Sequence, residues 1–582
     1  MATVLTLAGT QVFPDGKQQI KLVRENPYFT QSESYTLDVT LPMDILENRQ
    51  FFRNVHRLEH GKAVASMPCR LEVNNKPLLV GTARVTQIQE RDIKVQLVGG
   101  LSEVKFLSAE NQTYIDEMDL DAVACVTMPA HDETYEDDVN KWCNGSNMIP
   151  GYNDYWPEAP QPNLVGVMKR VLELSGYSVG TNDTDAEPWN CIYIASAKRT
   201  ASIAHALTHW TVKEFIDEYC RFFNCSLVVH QVTHTVDIVA NSSYFGSARH
   251  MELEPVDEYT VELTDEDEAK SLATSNLRFD LSGSSEHDYD IIPDRVRDTA
   301  PVKDFASRRE AQAAYAQMDE EERKRYIFRT PLGMYASWDI PKEDGTAGVV
   351  NGFTQIDVFG PLVRNAEDES EISLKIVPVA IARTVLEYHD YYEEVFHPVE
   401  PGKHPWRYVS LENPTGNEYH RWGSAVDDPT VPSDEDATIQ DYVEGEASSE
   451  NAEKEDRMQV FFVDDRKMLS VSYGGWNEGS SFESLMPFTD YLYKRQPGAS
   501  HRQWSMSLKP SSAARYLGQL HRNDYSFNMK AKYCVKFLAD DMPDPTQVFL
   551  IRNKRFACEK IEAGVDDRGL QRLMTGYFYE ML

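Results

Sequence analysis

The chain has 582 residues with 41% hydrophobic, 26% charged and 11% aromatic side chains, an ordinary globular composition at a length that calls for about three to five domains rather than one core. Its 58 lysines and arginines stand against 93 acidic residues, a net charge of −35, so counterion release onto phosphate cannot drive binding and a nucleic-acid binder is not expected. No run of 18 apolar residues is present, and Met1 to Asp15 lack a basic stretch leading into an apolar one, so neither membrane insertion nor classical secretion is expected.

The elements in chain order begin with β structure. Tyr35, Leu37, Val39 and Leu41 alternate with polar residues up to Pro42, the period of a strand with one wet face. Leu46 to Leu58 suggest a short helix. Cys69–Val73 and Leu78–Val85 then flank Asn74-Asn75-Lys76-Pro77, a turn by its residue chemistry, and Arg91-Asp92 turns the chain again into Ile93–Val98. Residues 1 to about 110 therefore predict a small antiparallel barrel or sandwich.

A mixed segment follows. Asn163 is placed to cap a helix carrying Leu164, Met168, Val171 and Leu172 on one face, with Gly176 as its terminator. Thr211 and Glu214 have the spacing of a capping box, Trp210 and Phe215 that of a hydrophobic staple. Leu227–His230 and Val236–Val239 predict a hairpin around Thr233-His234-Thr235. Strand-like pieces return from 250 to 390, interrupted by an Ala-, Glu- and Arg-rich exposed helix over 304–325. Between Ala425 and Asp456 twelve acidic residues meet one lysine, too polar a stretch to bury a core. Apolar pattern resumes at Val460 and ends in the aromatic run Tyr577-Phe578-Tyr579. No internal repeat is evident.

Candidate chemistry is sparse. His205 and His209 are four apart, as on one helix face, but Ala206 stands where the HExxH motif needs glutamate. Cys220 and Cys225 flank Phe222 and Phe223, which suits buried structural thiols better than a cation site, and the eight scattered cysteines fit a reducing cytoplasm. No GxSxG, GxxxxGK[ST] or GxGxxG motif occurs. Asp464-Asp465 and Asp540-Asp541 are adjacent carboxylates that a strand would point to opposite faces, so they predict solvated turns rather than a glycosidase pair. Neither catalytic nor cofactor nor metal residues are expected. Tyr152, Tyr155 and Trp156 around Asp154 are the one possible ligand-contact loop, since aromatics beside a carboxylate can stack on a sugar. A loop packed on its own aromatics is the competing reading.

Four segments taken in order resemble the tail hub proteins of tailed phages and prophages, the family that includes the baseplate hub of contractile tails. They are Leu37-Asp38-Val39-Thr40-Leu41-Pro42 with the strands to Val95; His209-Trp210-Thr211-Val212-Lys213-Glu214-Phe215 through to Val239; Leu374-Lys375-Ile376-Val377-Pro378-Val379; and Thr546–Ile551 with Gly576-Tyr577-Phe578-Tyr579. The resemblance implies a mixed β and α+β multidomain chain with two antiparallel β-barrels of tail-tube type. On that pattern, residues 1–120 form the first barrel, 121–249 a mixed α/β domain and 250–390 the second barrel with its exposed helix 304–325. An acidic loop over 391–457 and a C-terminal β-rich domain over 458–582 follow. It further implies a non-enzymatic virion protein, made in the host cytoplasm and assembling as a homotrimer. Its partners would be the tail tube protein, a central spike or tip protein and other baseplate proteins, with DNA passing through without specific binding. Two other functions fit the residues less well: a carbohydrate-binding or host-adhesion protein, and a hydrolase with an unrecognised site.

Overall fold

The computed structural model describes residues 3–30, 34–57 without 37, 66–100, 103, 113–144 without 136 and 137, 158–263 without 197–201 and 247, stretches between 277 and 522, and 525–582. The described chain is mostly β with few helices. Its largest element is a 14-stranded sheet, whose strands we number in chain order: β1 (Thr3–Leu7), β2 (Thr10–Val12), β3 (Ile20–Glu25), β4 (Ser34–Thr36), β5 (Val39–Pro42), β6 (Met67–Val73), β7 (Lys76–Ile88), β8 (Asp92–Gly99), β9 (His250–Leu253), β10 (Thr260–Leu263), β11 (Phe527–Leu538), β12 (Val548–Ile551), β13 (Lys554–Asp566) and β14 (Gly569–Met581).

The main path through the sheet is β10-β11-β14-β13-β3-β4-β8-β7-β6-β1-β2, with β9 joined through β12 to β13, and β5 to β8. The first hundred residues and the last sixty are therefore one structure, joined where β3 pairs antiparallel with β13 from Ile20↔Val565 to Glu25↔Lys560. One apolar core runs beneath both, from Leu5, Leu22, Leu71 and Leu97 to Val535, Phe549, Ile561 and Phe578. This corrects two expectations. No strand order in the described residues closes into a barrel, because the outer edge of β3 is taken by β13 instead of returning to β1. The C-terminal strands do not form a domain of their own, because their core is shared with the N-terminal strands.

Six positions of the sheet correspond between its two halves, β4 and β5 together standing for one of them and β2 having no counterpart. In the first, β1-β6-β7-β8 continue into β4 and β5 and then β3; in the second, β9-β12-β13-β14 continue into β11 and then β10. Both halves contain a two-residue hairpin with left-handed backbone, Asn74-Asn75 (φ 54° and 62°) between β6 and β7, and Arg552-Asn553 (φ 49° and 68°) between β12 and β13. This is the turn type whose twist matches that of the strands. Each turn opens a strand of 13 residues. With Lys76 laid on Lys554, the bulge between Val85 and Gln87 falls on the bulge between Ala563 and Val565. One pairing differs: β1 runs antiparallel to β6, whereas β9 runs parallel to β12. The second unit is thus assembled from 250–263 and 527–581, not from 250–390.

What lies between is a mixed α/β unit. Helix α1 (Leu164–Leu174) begins at Asn163, whose Oδ1 accepts from the Gly166 N–H at 2.8 Å, and Gly176 follows it at φ +89°. Helix α2 (Val212–Phe223) has the full capping box: Thr211 Oγ1 accepts from the Glu214 N–H at 3.2 Å and Glu214 Oε2 from the Thr211 N–H at 2.9 Å. Asn224 ends it in the left-handed region. The expected hairpin is Cys225–His230 with Thr235–Ala240. The core of this unit also takes in Ile376, Met458, Val460, Phe462 and Trp504, so Met458–Val463, expected to open the C-terminal domain, pairs instead with Ile192–Ile194 and Ile376–Pro378.

Residues 304–325 form two exposed helices, Arg308–Gln317 and Glu320–Arg325, capped by Ser307 and Asp319. Of the expected loop 391–457, Trp406–Glu412 is a strand between Ala380–Leu386 and Asp138–Asn144; its aromatic and β-branched residues favour extended backbone. The acidic stretch 425–456 lies outside the described residues.

Candidate assembly interface

The structure brings polar and aromatic groups together where β3 meets β13. On the solvent face, Lys21 Nζ lies 2.8 Å from Glu562 Oε2. Arg24 donates to two backbone carbonyls, Met542 at 3.2 Å and Leu78 at 3.0 Å, and so ties both halves to one guanidinium. The Tyr35 hydroxyl donates to Glu25 Oε1 at 3.0 Å, and burial, reinforced by the Glu25 charge, pushes that phenol up to about 12.

Asn26, fully buried, is the hub of the junction. Its amide nitrogen donates to the Pro545 and Cys558 carbonyls at 2.9 and 2.8 Å, while its Oδ1 accepts from the Tyr28 N–H at 3.1 Å and the Tyr244 hydroxyl at 2.9 Å. Three separate regions of sequence are held by one side chain whose hydrogen-bonding capacity is filled. Around it Tyr28, Phe29, Tyr244, Phe245 and Phe527 form an aromatic cluster with ring centroids 4.9 to 5.8 Å apart, the edge-on spacing that aromatic pairs prefer. Burial, and then Tyr525, raise the Tyr28 hydroxyl to about 12.

Two edges of the same sheet carry no partner strand among the described residues. Strand β6 leaves β7 at Met67↔Ala83, and beyond Ala83 that side of β7 runs on to Ile88 with exposed or half-buried side chains. At the other end of the path, β10 is bonded only to β11, and every residue from Val256 to Leu263 is exposed. An open edge such as that of β10 is a template for further strand addition.

The residues named as candidates from the sequence do not converge on a reactive centre. Tyr152, Tyr155 and Trp156 lie outside the described residues, as do Asp464 and Asp465. His205 sits in the short helix Ala204–Ala206 and His209 precedes α2, so they share no helix face; His209 stacks on Tyr114 with centroids 3.9 Å apart and bonds Asp116 at 2.9 Å. Cys220 and Cys225 are buried free thiols. Asp540 and Asp541 occupy a solvated turn and pair with Arg572 at 2.8 Å and Lys76 at 3.0 Å. A cleft of about 600 Å³ opens between the sheet and the Cys225–Ala240 hairpin, lined by Arg24, Glu25, Leu78, His230, Gln231 and Thr546 among others. Gln231 crosses it to accept from the Val80 N–H at 3.2 Å, which makes the cleft a seam between docked units. No group of three or more metal-ligating side chains is found among the described residues, and no helix there is long and apolar enough to cross a membrane.

Sequence reasoning missed Arg24 and Asn26. The only local signal was a polar Arg-Glu-Asn-Pro run directly after an apolar strand, which reads as a turn.

No family model matches the chain, and no curated protein matches it. Among solved structures it is similar to the 43 kDa tail protein of prophage MuSo2 from Shewanella oneidensis, at 9% identity and a TM-score of 0.32 over 99% of this chain and 97% of that one. It is also similar to the tail protein from Neisseria meningitidis MC58, at 6% identity and a TM-score of 0.32 over 100% of this chain and 96% of that one.

Proposed function

We propose that this chain is a structural virion protein, the hub at the distal end of a phage tail tube, assembling as a homotrimeric ring that joins the tube to a spike or tip protein. The observation that carries the reading is the doubled sheet. Two units of corresponding strand order in one chain, joined edge to edge, are the part that lets three subunits meet a sixfold tube, as the sequence resemblance implies. The absence of convergent reactive groups among the described residues suits a mechanical role, in which strand pairing between units is the working chemistry.

The net charge of −35 has a use in such a ring: carboxylates facing the bore repel phosphates, so DNA passes without sticking. The test is mass in solution together with a low-resolution image of the purified chain. Three copies around a central hole are expected. A protein that stays monomeric at micromolar concentration and images without a hole overturns the hub, and an assembled ring with a neutral or basic bore overturns the role of the charge.

A further inference from the structure

The C-terminal end of α2 brings two thiols together. A single residue, Asn224, joins the helix to the strand Cys225–His230; its backbone is left-handed at φ 46°, and its N–H bonds back to the Cys220 carbonyl. At a helix end of this kind the residue after the left-handed one folds back on the last turn of the helix. Here those partners are Cys225 and Cys220. Both are free thiols, both enter the core of the α/β unit, and their sulfur groups are hydrogen-bonded to each other.

The turn between them is held without help from the sulfurs. Asn224 Nδ2 donates to the Leu520 carbonyl at 2.7 Å, its Oδ1 accepts from Asn241 Nδ2 at 3.0 Å, and its carbonyl accepts from the Asn241 N–H at 2.9 Å. The reduced protein therefore already presents one thiol to the other, and a bond between them, which needs its two residues side by side, asks for little movement of the backbone. We propose that Cys220 and Cys225 are a modification site: they form a disulfide when the protein meets a small-molecule disulfide, and so staple the end of α2 to the first strand of the hairpin.

Cys220 is the more exposed, at 7% against 4% for Cys225, and reacts first. Its thiol loses a proton, the sulfur attacks the oxidant, and a mixed disulfide forms as one small thiol leaves. Cys225 then loses its proton, attacks the Cys220 sulfur and expels the second small thiol. The two cysteines give up two electrons and two protons, and the oxidant is reduced to two thiols. The hydrogen bond to Cys220, and then burial, hold the Cys225 thiol well above its ordinary range, so exchange runs over minutes to hours. The staple encloses Arg221–Asn224, where the segment around His521 is bonded: His521 Nε2–H donates to the Phe222 carbonyl at 3.0 Å. It thus fixes the place where the helix, the hairpin and a distant stretch of chain meet. A reducing cytoplasm keeps the pair open and an oxidising medium closes it. None of this rests on the hub reading.

The unaltered full-length chain tests it. The folded protein is incubated with oxidised glutathione, remaining thiols are alkylated, and the product is cut with trypsin without reduction. Because Arg221 lies between the cysteines, the disulfide appears in mass spectra as peptide Glu214–Arg221 linked to peptide Phe222–Arg249. That pair is expected from the folded protein, to be lost on reduction, and to be missing from Cys220→Ala and from Cys225→Ala. Hydrogen exchange of the amides from Phe222 to Leu227 is expected to slow by about tenfold or more in the oxidised chain and to return on reduction, since the closed loop removes freedom from the opened state. A linked pair that forms only after denaturation overturns the proposal. So does glutathione that stays on Cys220 in the folded protein without being displaced by Cys225. A disulfide that forms in the folded protein but leaves exchange unchanged or faster keeps the modification site and overturns the staple.

Discussion

Asn26 shows how much a single side chain can organise when all its hydrogen-bonding positions are used in a buried place. Replacing it with alanine leaves the Pro545 and Cys558 carbonyls and the Tyr244 hydroxyl without that partner, and an unsatisfied buried polar group costs about 1–3 kcal/mol. Asn26→Ala is therefore expected to lower stability by roughly 2–4 kcal/mol, read as a shift in the urea midpoint. His521 makes a second test. Its Nε2–H donates to the Phe222 carbonyl at 3.0 Å at the end of α2, and burial holds its pKa down at about 4. The folded state thus keeps the ring neutral while the unfolded chain protonates below about 6.5. Its contribution is complete above pH 6.5 and is lost as the pH falls from there towards 4. Stability should drop by about 2 kcal/mol between pH 8 and pH 5, and His521→Gln should remove that part of the pH dependence from denaturation curves. The sequence showed neither residue. Both act through partners hundreds of positions away, and only their neighbours in the chain are visible to pattern reading.

Helix ends, by contrast, were legible because caps are local. Asn163, Thr211 with Glu214, and Gly176 all stand where their spacing placed them. Thr211→Ala is expected to cost about 1 kcal/mol, measured by thermal unfolding, with Thr211→Ser close to neutral. Hairpins were legible where the turn residues are distinctive, as at Asn74-Asn75, but the matching turn at Arg552-Asn553 escaped notice. The two strand–turn–strand units share little beyond Asn-Lys at the turn, since a core-facing strand accepts any apolar residue of about the right size. In both turns asparagine tolerates a backbone that most residues adopt at a cost of roughly 1–2 kcal/mol. Asn75→Ala and Asn553→Ala should each lower the unfolding midpoint by an amount equivalent to about 1 kcal/mol, whereas glycine at either place should hold or raise it. Equal responses would support the equivalence of the hairpins, and tolerance of alanine at one of them would count against it.

At the scale of the whole molecule, pattern reading recovered the alternation of β, α/β and β segments along the chain but divided it into consecutive units. The folded protein is arranged otherwise: 250–263 and 527–581 come together across the intervening sequence, and Met458–Val463 is given to the α/β core. Periodicity reports which face of a strand is buried and says nothing about which strand lies beside it. Pairing across hundreds of residues also has a consequence in time. At synthesis rates of about 5–20 residues per second, Ile20–Glu25 leaves the ribosome roughly half a minute to two minutes before Lys560–Val565 is made, and throughout that interval its edge is bare. Nascent chains stalled before residue 527 should therefore demand chaperone protection, and a polypeptide ending there should accumulate in inclusion bodies, from which supplying the missing tail in trans during translation would rescue it.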